Sequence, residues 1–368
     1  MGVPTETKDN EYRVGLTPGA AETLVQYGHK LVVQSEAGQG SGFSNDEYIN
    51  AGATIEKNAS DVFNKADIII KVKEPNITEC EMLSENQIIY TYLHLASDKK
   101  LTKALLSKNV IAIAYETVEE SDGSLPLLTP MSEVAGRMSV QIASHYLESA
   151  QGGRGKLLGG VPGVRPANIS IVGGGTVGIN AAKIALGMGA NVTIIDINPA
   201  RLRYLDDVLH GNINTLTANR HNIANAVRSS DVIIGAVLIP GALAPKLVTN
   251  QMVASMKSGS VIVDVAIDQG GCIETIKPTS HSDPIYVIDG VIHYGVTNIP
   301  GAVPRTSTYA LTNATLPTIV DLANNDLTKL LSTHKGLAKG VNLYKGKITC
   351  KPVADTFSLS YTPLDKLI

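Results

Sequence analysis

Short apolar runs and longer segments of helical periodicity alternate along the whole chain. In the first third, runs rich in Val and Ile predict strands at residues 30–34, 67–72, 87–92 and 110–115. Between them, apolar residues at helical spacing predict helices at residues 18–27, 60–66 and 97–108. Alternation of strand and helix is typical of parallel sheets whose strands are joined by crossover helices.

A second alternating series begins near residue 168, with strands predicted at residues 168–172, 191–195, 231–236, 260–265, 285–288 and 291–296. Longer helical patterns flank it at residues 131–150 and 306–323. A chain of 368 residues is too long for one ordinary core. We therefore predict an α/β fold of two doubly wound parallel-sheet domains, joined by the two long helices across a cleft. The predicted domains are residues 1–127 with 305–368, and residues 128–304.

Composition narrows the class of protein. The chain is 43% hydrophobic and 18% charged, as compact soluble proteins are, and its formal net charge of -3 argues against a nucleic-acid partner. The most apolar stretch, residues 169–195, is interrupted by glycines, Asn180 and Lys183, so no membrane span is expected. The three cysteines and the histidines lack metal-ligand spacing, and no signal peptide opens the chain. We expect a cytoplasmic protein without a metal.

One segment carries a nucleotide-binding pattern. Residues 168–172 form a predicted strand that leads directly into G-x-G-x-x-G at Gly173, Gly175 and Gly178. The first glycine permits a tight turn, the second lets backbone approach a diphosphate, and the third lets helix and strand pack closely. The helix start, with Thr176 and Val177 in its first turn, offers N–H groups and a dipole to the diphosphate. The run therefore predicts a dinucleotide site of the Rossmann type.

The next strand ends at Asp196, where a carboxylate can bind the adenosine ribose and repel a 2′-phosphate. This favours NAD over NADP, although Arg201 lies close enough in sequence to contact such a phosphate. The alternative is a glycine-rich turn followed by an incidental acidic residue. Strand, helix, second strand and terminal Asp together favour the nucleotide site.

Polar residues follow several predicted strands. Lys73, His94, Asp268 and Asn298 lie just beyond strand ends, and Arg13 lies in the polar loop after the opening segment. Ligands of open α/β sheets bind at this edge. Arg suits a carboxylate, Lys can polarise a carbonyl, His can transfer protons near neutral pH, and Asp can orient water or an ammonium. This set suits a small 2-oxo or 2-amino acid.

Each of these residues also has an ordinary structural interpretation. Lys73 belongs to a charged run that can simply face solvent, and His94 lies in a mostly apolar segment where it can be a core histidine. Arg13 alone can be a surface residue, and Asp268 alone can be a helix N-cap. Only their common position at strand ends favours a shared site.

Nine stretches along the chain follow the pattern of a known family: PTETKDNEYRVGLTP (4–18), KVKEP (71–75), YLHLA (92–96), AYETV (114–118), PLLTPMSEVAGRMSVQ (126–141), GGRGKLLGGVPGV (152–164), GAVLIPGALAPKLV (235–248), VDVAIDQGG (263–271) and VPRTSTYALTNATLP (303–317). Through these stretches the chain resembles bacterial L-alanine dehydrogenases over essentially its whole length. The segment 293–301 departs from the expected pattern at Gly295 and Thr297, which leaves packing beside the nicotinamide open.

The resemblance implies a substrate domain completed by the C-terminal segment, a Rossmann NAD domain and a homohexamer. It implies that Arg13 and Lys73 bind the substrate carboxylate and carbonyl, and that His94 and Asp268 are catalytic. The implied NAD site also includes Met131, Ser132, Asp196, Arg201 and Asn298.

The implied reaction converts L-alanine, NAD and water into pyruvate, ammonia and NADH through iminopyruvate. A proton-transferring histidine predicts that deamination and amination prefer different pH. The rival readings are the nucleotide-binding component of a proton-translocating transhydrogenase, a saccharopine-type dehydrogenase, and a non-catalytic NAD-binding protein. The set formed by Arg13, Lys73, His94 and Asp268 favours alanine dehydrogenase, since the transhydrogenase component needs no amino-acid site.

Overall fold

The computed structural model describes residues 1–237 and 243–368. The matching stretch 235–248 therefore includes positions 238–242, which lie outside the described residues. The chain forms two compact units: unit 1 is Met1–Met131 with Val303–Ile368, and unit 2 is Ser132–Ala302. The boundaries predicted from the sequence lie after residues 127 and 304.

The strands, in chain order, are β1 (Gly2–Val3), β2 (Val32–Gln34), β3 (Thr54–Glu56), β4 (Ile68–Ile70), β5 (Ile88–Thr91), β6 (Ile111–Ala114), β7 (Asn168–Val172), β8 (Asn191–Asp196), β9 (Ile213–Thr217), β10 (Val232–Gly235), β11 (Val261–Asp264), β12 (Ile285–Ile288), β13 (Val291–Tyr294), β14 (Val341–Tyr344) and β15 (Lys347–Ile348).

The helices, in chain order, are α1 (Pro18–Gln26), α2 (Asn45–Asn50), α3 (Ala59–Asn64), α4 (Ile77–Met82), α5 (Lys99–Ser107), α6 (Thr129–Tyr146), α7 (Thr176–Gly187), α8 (Pro199–Val208), α9 (Arg220–Ser229), α10 (Asn250–Val253), α11 (Pro304–Asn324), α12 (Leu327–Thr333), α13 (Lys335–Gly340) and α14 (Lys351–Phe357). Helix α6 contains the boundary between the units, and α11 begins just after the second boundary. Helix α1 starts where the Thr17 hydroxyl accepts the Ala20 N–H and Pro18 opens the first turn.

Unit 1 contains a sheet of order β15-β14-β6-β5-β4-β1-β2-β3 within the described residues. Strands β1 to β6 are parallel, whereas β14 is antiparallel to both β6 and β15. The order reverses between β1 and β4, because β2 and β3 extend to one side of β1 and β5 and β6 extend beyond β4 on the other. Such a reversal opens a crevice at the carboxyl ends of the two strands.

Unit 2 contains a sheet of order β12-β13-β11-β10-β7-β8-β9 within the described residues. Its strands are parallel except for β12, which pairs with β13 in a hairpin turned by Asp289 and Gly290. Both turn residues have positive φ, as a two-residue hairpin turn requires. The order reverses between β7 and β10.

Apolar residues of the central strands of unit 2 fill both faces of its sheet. Ile169 and Ile171 belong to one cluster of buried side chains, while Val172 and Ile233 belong to another. Successive residues of a strand point to opposite faces, so continuous apolar runs indicate strands covered on both sides. In unit 1, Ile68–Ile70 shows the same full burial.

The predicted fold class is confirmed, and each strand predicted from an apolar run is present with bounds shifted by at most two residues. Antiparallel strands modify this fold class at the sheet margins, since β12 pairs with β13 and the pair β14 and β15 extends beyond β6. Strands β3 and β9 were not predicted, because both contain exposed polar positions. Among the described residues, every helix is too short or too polar to cross a lipid bilayer.

Candidate functional site

The carboxyl ends of four neighbouring strands of unit 1 carry charged side chains. Strands β1, β4, β5 and β6 lie side by side and run parallel. The segment after β1 carries Arg13, the segment after β4 carries Lys73, and the segment after β5 carries His94. The sheet therefore brings three of the predicted site residues to one edge, at and beside the reversal between β1 and β4.

Arg13 is a buried cation with fixed partners. Its side chain is 2% exposed, its Nε donates to Glu11 Oε1 at 2.7 Å, and its Nη1 lies 3.1 Å from the sulfur of Met131. Glu11 Oε1 also accepts the backbone N–H of Arg13 at 3.0 Å. Burial opposes the charge, but the hydrogen bond and charge of Glu11 raise the pKa of Arg13. The surface interpretation of Arg13 was wrong.

A second buried cation, Lys71, lies directly after β4. Its Nζ is 2.8 Å from Glu79 Oε1 and 3.3 Å from Glu6 Oε2, and all three side chains are almost completely buried. Burial disfavours the charge of Lys71, but its two carboxylate partners raise its pKa. Burial raises the pKa of Glu6, and the charge of Lys71 and the N–H of Val72 offset only part of that effect. These three groups form a closed ionic cluster.

Lys73 is half-buried two residues beyond this cluster. Its backbone N–H donates to Glu6 Oε2 at 3.3 Å, and its carbonyl accepts the hydroxyl of Thr91 at 2.9 Å. The backbone of Lys73 is therefore held on both sides. These contacts concern the backbone of Lys73, and the role of its side chain stays a prediction.

His94 follows β5 with an unusual backbone. Its φ is 48°, in the left-handed region that costs a non-glycine residue about 1 kcal/mol or more. The carboxylate of Glu116, after β6, accepts the N–H of His94 at 2.6 Å and that of Leu93 at 3.2 Å, which stabilises this conformation. Glu116 Oε1 also lies 3.7 Å from His94 Nδ1. The side chain is 43% exposed, so the interpretation of His94 as a core residue was wrong.

The carboxyl edge of unit 2 is built from glycine. Gly173 follows β7 with a φ of 108°, and a Cβ there would lie 2.5 Å from the carbonyl oxygen of Ala236 after β10. At Gly178 a Cβ would lie 1.9 Å from the carbonyl oxygen of Gly173. Gly175 precedes α7, and a Cβ there would meet no atom of the described residues within 4 Å. Two glycines thus permit close packing, and the third leaves open space before the helix.

Asp196 and Arg201 both bind the glycine turn. Asp196 Oδ2 accepts the N–H of Gly174 at 2.7 Å, and its Oδ1 accepts the N–H of Asn198 at 2.8 Å. Arg201 Nε donates to the carbonyl oxygen of Gly174 at 2.6 Å. The Asp196 carboxylate therefore lies beside the turn at the end of β8, and Arg201 holds that turn from its other side.

Asp268 and Asn298 follow β11 and β13. Asp268 is exposed near the end of a 3₁₀ turn, Val265–Gln269, whose N-cap is Asp264. The N-cap interpretation of Asp268 was therefore wrong, because the cap lies four residues earlier. Asn298 is half-buried with a φ of 63°, at the start of a second 3₁₀ turn.

Asp264 is the buried partner of the loop that carries Asp268. Its carboxylate accepts the N–H groups of Ala266 at 3.0 Å, Cys272 at 2.8 Å and Ile273 at 3.0 Å. Burial raises the pKa of Asp264, and the three N–H donors offset part of that effect. This carboxylate fixes both ends of the loop.

Four supporting carboxylates were not predicted to belong to the site: Glu6, Glu11, Glu116 and Asp264. Each carboxylate binds backbone N–H groups of the segment that holds a predicted site residue. Glu116 and Asp264 offered a signal, since each lies within or beside an apolar segment where an unpaired buried carboxylate is costly, whereas Glu6 and Glu11 lie in the polar run 4–13 and offered none. Gly295 has a steric explanation, because a Cβ there would lie 2.3 Å from the carbonyl oxygen of Lys277.

Comparison with known families covers nearly the whole chain. The model described as "Alanine dehydrogenase/PNT, N-terminal domain" matches residues 2–135, and the corresponding C-terminal domain model matches residues 139–351. The chain belongs to the alanine dehydrogenase/PNT family. Membership in this family implies a nicotinamide cofactor.

Curated relatives in the alanine dehydrogenase/PNT family extend over the same length. The chain is 56% identical to the alanine dehydrogenase of Methanococcus maripaludis over 100% of this chain and 99% of the relative. It is 53% identical to that of Halomonas elongata, again over 100% of this chain and 99% of the relative. The resemblance stated from the sequence is confirmed.

Two solved structures share the fold of this chain. An L-alanine dehydrogenase, 50% identical, has a TM-score of 0.94 over 97% of this chain and 98% of its own. A transhydrogenase from Sinorhizobium meliloti, 24% identical, has a TM-score of 0.81 over 94% of this chain and 99% of its own. The second likeness concerns the fold alone.

Proposed function

We propose that this chain catalyses the reversible, NAD-dependent oxidative deamination of L-alanine to pyruvate and ammonia. The observation that carries the proposal is full-length identity of 56% to a curated alanine dehydrogenase. The charged strand ends of unit 1 suit a small 2-oxo or 2-amino acid, and the glycine turn of unit 2 suits a dinucleotide. Unit 1 is therefore the substrate domain and unit 2 the nucleotide domain.

The residues of unit 2 fit NAD. The open space at Gly175 and the first turn of α7, with Thr176 and Val177, would accept the diphosphate. The carboxylate of Asp196 would bind the ribose hydroxyls and repel a 2′-phosphate, which favours NAD over NADP. The remaining assigned contacts are Ser132, Arg201, Asn298 and Met131. When bound, the nicotinamide supplies the hydride acceptor for deamination.

Arg13 and Lys73 hold the substrate. The guanidinium of Arg13, already oriented by Glu11, pairs with the substrate carboxylate. The ammonium of Lys73 stabilises negative charge at the carbonyl oxygen, including the charge that develops as the carbinolamine forms and collapses. Both cations belong to segments with fixed backbones, so little reorganisation is needed when the substrate arrives.

His94 and Asp268 manage the protons. After the hydride leaves Cα, water adds to iminopyruvate, and His94 accepts a proton from that water. His94 then returns that proton to the nitrogen, and Asp268 stabilises the resulting positive charge. As the C–N bond breaks and ammonia leaves, the hydroxyl proton passes to His94 and the oxygen becomes the carbonyl of pyruvate. Glu116 lies beside His94 Nδ1 and supports the orientation of the ring.

Cellular setting and assembly are further parts of the proposal. We place the enzyme in the cytoplasm, where its three free cysteines would remain reduced. We further propose a homohexamer, as the resemblance implies. Size-exclusion chromatography with light scattering measures that assembly directly.

One assay tests the proposed activity against its rivals. NADH oxidation is followed with pyruvate alone, with ammonium alone and with both together. The proposed enzyme consumes NADH only when both substrates are present. A protein that binds NADH but shows no consumption is a non-catalytic binder, whereas consumption with another oxo acid and not with pyruvate indicates a different dehydrogenase.

A further inference from the structure

The backbone on both sides of Lys73 is hydrogen-bonded by residues from other segments of the chain. Glu6 accepts the N–H of Val72 at 2.6 Å and the N–H of Lys73 at 3.3 Å. The hydroxyl of Thr91 donates to the carbonyl oxygen of Lys73 at 2.9 Å. Glu6 follows β1 and Thr91 ends β5, so two flanking segments hold the residue that follows β4.

Glu6 is itself fixed by charge. The ammonium of Lys71 lies between Glu6 and Glu79, and Glu79 is anchored by the N–H of Asn76 at 2.8 Å. The hydroxyl of Tyr115 donates to the carbonyl oxygen of Lys71 at 3.0 Å, which holds the same strand end again. The segment from Lys71 to Lys73 therefore has buried polar partners at each residue.

Stability alone is a poor reason for this arrangement. Taking two carboxylates and one ammonium out of water carries a desolvation cost that their mutual attraction repays only in part, and apolar replacements of such groups are often as stable. What apolar side chains cannot do is accept two successive backbone N–H groups. Only a carboxylate at Glu6 accepts both while remaining paired with Lys71.

We infer that Glu6 is a positioning residue for Lys73, fixing the backbone from which the Lys73 ammonium reaches the substrate. This inference rests on the proposed function, since it assigns Glu6 to the same substrate site. Displacing a catalytic group by about 1 Å can lower the rate by a factor of about 100. Glu6→Gln is nearly isosteric but places an amide donor where one carboxylate oxygen accepted.

The test is a double-mutant cycle with Lys73→Met, read as kcat/KM for pyruvate at saturating NADH and ammonium. Glu6→Gln alone should lower kcat/KM by about 10- to 100-fold, with NADH affinity changed less than about 2-fold. In the Lys73→Met background the same change should lower it less than about 3-fold, because the group it positions is gone. Equal losses in both backgrounds overturn the inference.

Glu79→Gln is the matched control. It alters the same ionic cluster and the same partner, Lys71, but Glu79 accepts neither the Val72 nor the Lys73 N–H. It should lower the melting temperature and change kcat/KM less than about 3-fold. A loss as large as that of Glu6→Gln shows that the cluster acts only by holding the fold, and contradicts the positioning role.

If Glu6→Gln does not fold, Thr91→Val still tests whether the backbone contacts of Lys73 position its side chain. It removes the hydroxyl that holds the carbonyl of Lys73 and leaves all charges in place. Its effect on kcat/KM should also disappear in the Lys73→Met background, and persistence there rejects the inference. Wild-type turnover separates the two proposals, since an inactive wild type refutes the function, whereas an active one with additive variants refutes only the role of Glu6.

Discussion

The two sheets reverse their strand order at points lined with different groups. In unit 1 the reversal between β1 and β4 is lined with buried charges, including Glu6, Arg13 and Lys71. In unit 2 the reversal between β7 and β10 is lined with the backbone of Gly173 and Ala236, and open space lies at Gly175. The same topological feature therefore offers fixed charge in one unit and accessible backbone in the other.

This difference matches the ligands proposed for the two units. A three-carbon acid has few atoms, so its recognition depends on charged groups held rigidly at its carboxylate and carbonyl. A dinucleotide presents a diphosphate that backbone N–H groups at a helix start can bind, so it needs close approach more than side-chain charge. Substitutions at the charged groups of unit 1 should therefore affect the substrate and spare the dinucleotide. Substitutions at the glycine turn of unit 2 should do the reverse.

The largest effect is expected at Gly178 in unit 2. A methyl group there would lie 1.9 Å from the carbonyl oxygen of Gly173, which forces helix α7 away from β7. Gly178→Ala should weaken NADH binding by more than about 100-fold or prevent folding, because helix and turn can no longer pack. Fluorescence titration with NADH and thermal melting measure both outcomes.

Gly187→Ala is the control in the same helix. A Cβ at Gly187 meets no atom of the described residues within 4 Å, so this variant should bind NADH normally and gain about 0.5–1 kcal/mol in stability. Equal behaviour of the two alanine variants contradicts the packing role of Gly178.

The next effect is expected at His94 in unit 1. His94→Ala should lower kcat by about 100-fold or more while NADH affinity stays unchanged, because it removes proton transfer and leaves the nucleotide domain intact. Stopped-flow or steady-state NADH oxidation gives kcat, and NADH titration gives affinity. His145→Ala, on the exposed part of α6, should keep full activity. An active His94→Ala enzyme removes His94 from the proposed role.

A smaller change is expected in cofactor preference. Asp196→Asn keeps one oxygen that can accept the N–H of Gly174 but removes the charge that repels a 2′-phosphate. The ratio of kcat/KM for NADH to that for NADPH should fall by about 10-fold. The matched variant Asp206→Asn removes an exposed carboxylate from α8 and should leave the ratio unaltered. An unchanged ratio in Asp196→Asn shows that another group excludes the phosphate.

The smallest effect is a pH dependence of stability at Asp264. Burial raises the pKa of Asp264 in the folded chain above its ordinary value, so the folded state holds this proton more tightly than the unfolded chain does. The resulting stability is fully present below the unfolded pKa and is lost as pH rises through the folded pKa.

The wild-type free energy of unfolding, relative to that of Asp264→Asn, should therefore decrease as pH rises above about 4, by at most about 1.4 kcal/mol per pH unit. Urea titrations at several pH values measure it. A difference that stays constant, or that grows with pH, contradicts a raised pKa.

The sequence predicted the parts of this molecule that local pattern determines. The strand at 168–172 was predicted with its observed bounds, because five residues of mainly apolar sequence lead into a glycine turn. The strand pair 285–288 and 291–296 was also predicted from its runs, and the structure shows it as a hairpin turned by Asp289 and Gly290. Short strands such as β3 and the C-terminal pair β14 and β15 lack such a pattern.

Two of the supporting carboxylates escaped prediction because their partners are distant in sequence. Glu6 binds the N–H of Val72, which lies 66 residues away, and Glu116 binds that of His94, which lies 22 residues away. Periodicity and spacing describe neighbours along the chain, whereas these contacts arise from the order of strands in the sheet. Position at strand ends led to the candidate site residues, but only the folded sheet shows what holds them.

The central claim is that charged groups of unit 1 bind the substrate and the backbone of unit 2 binds the dinucleotide. Its most direct test uses Lys73→Met, with Lys103→Met on the exposed face of α5 as the control. NADH titration and ammonium-dependent NADH oxidation with pyruvate are measured on the same samples. The wild type and the control should consume NADH, and Lys73→Met should lose about 100-fold or more in kcat/KM for pyruvate with NADH affinity within about 3-fold of wild type. An inactive wild type, or a Lys73→Met enzyme that loses NADH affinity as strongly as it loses turnover, would contradict the account.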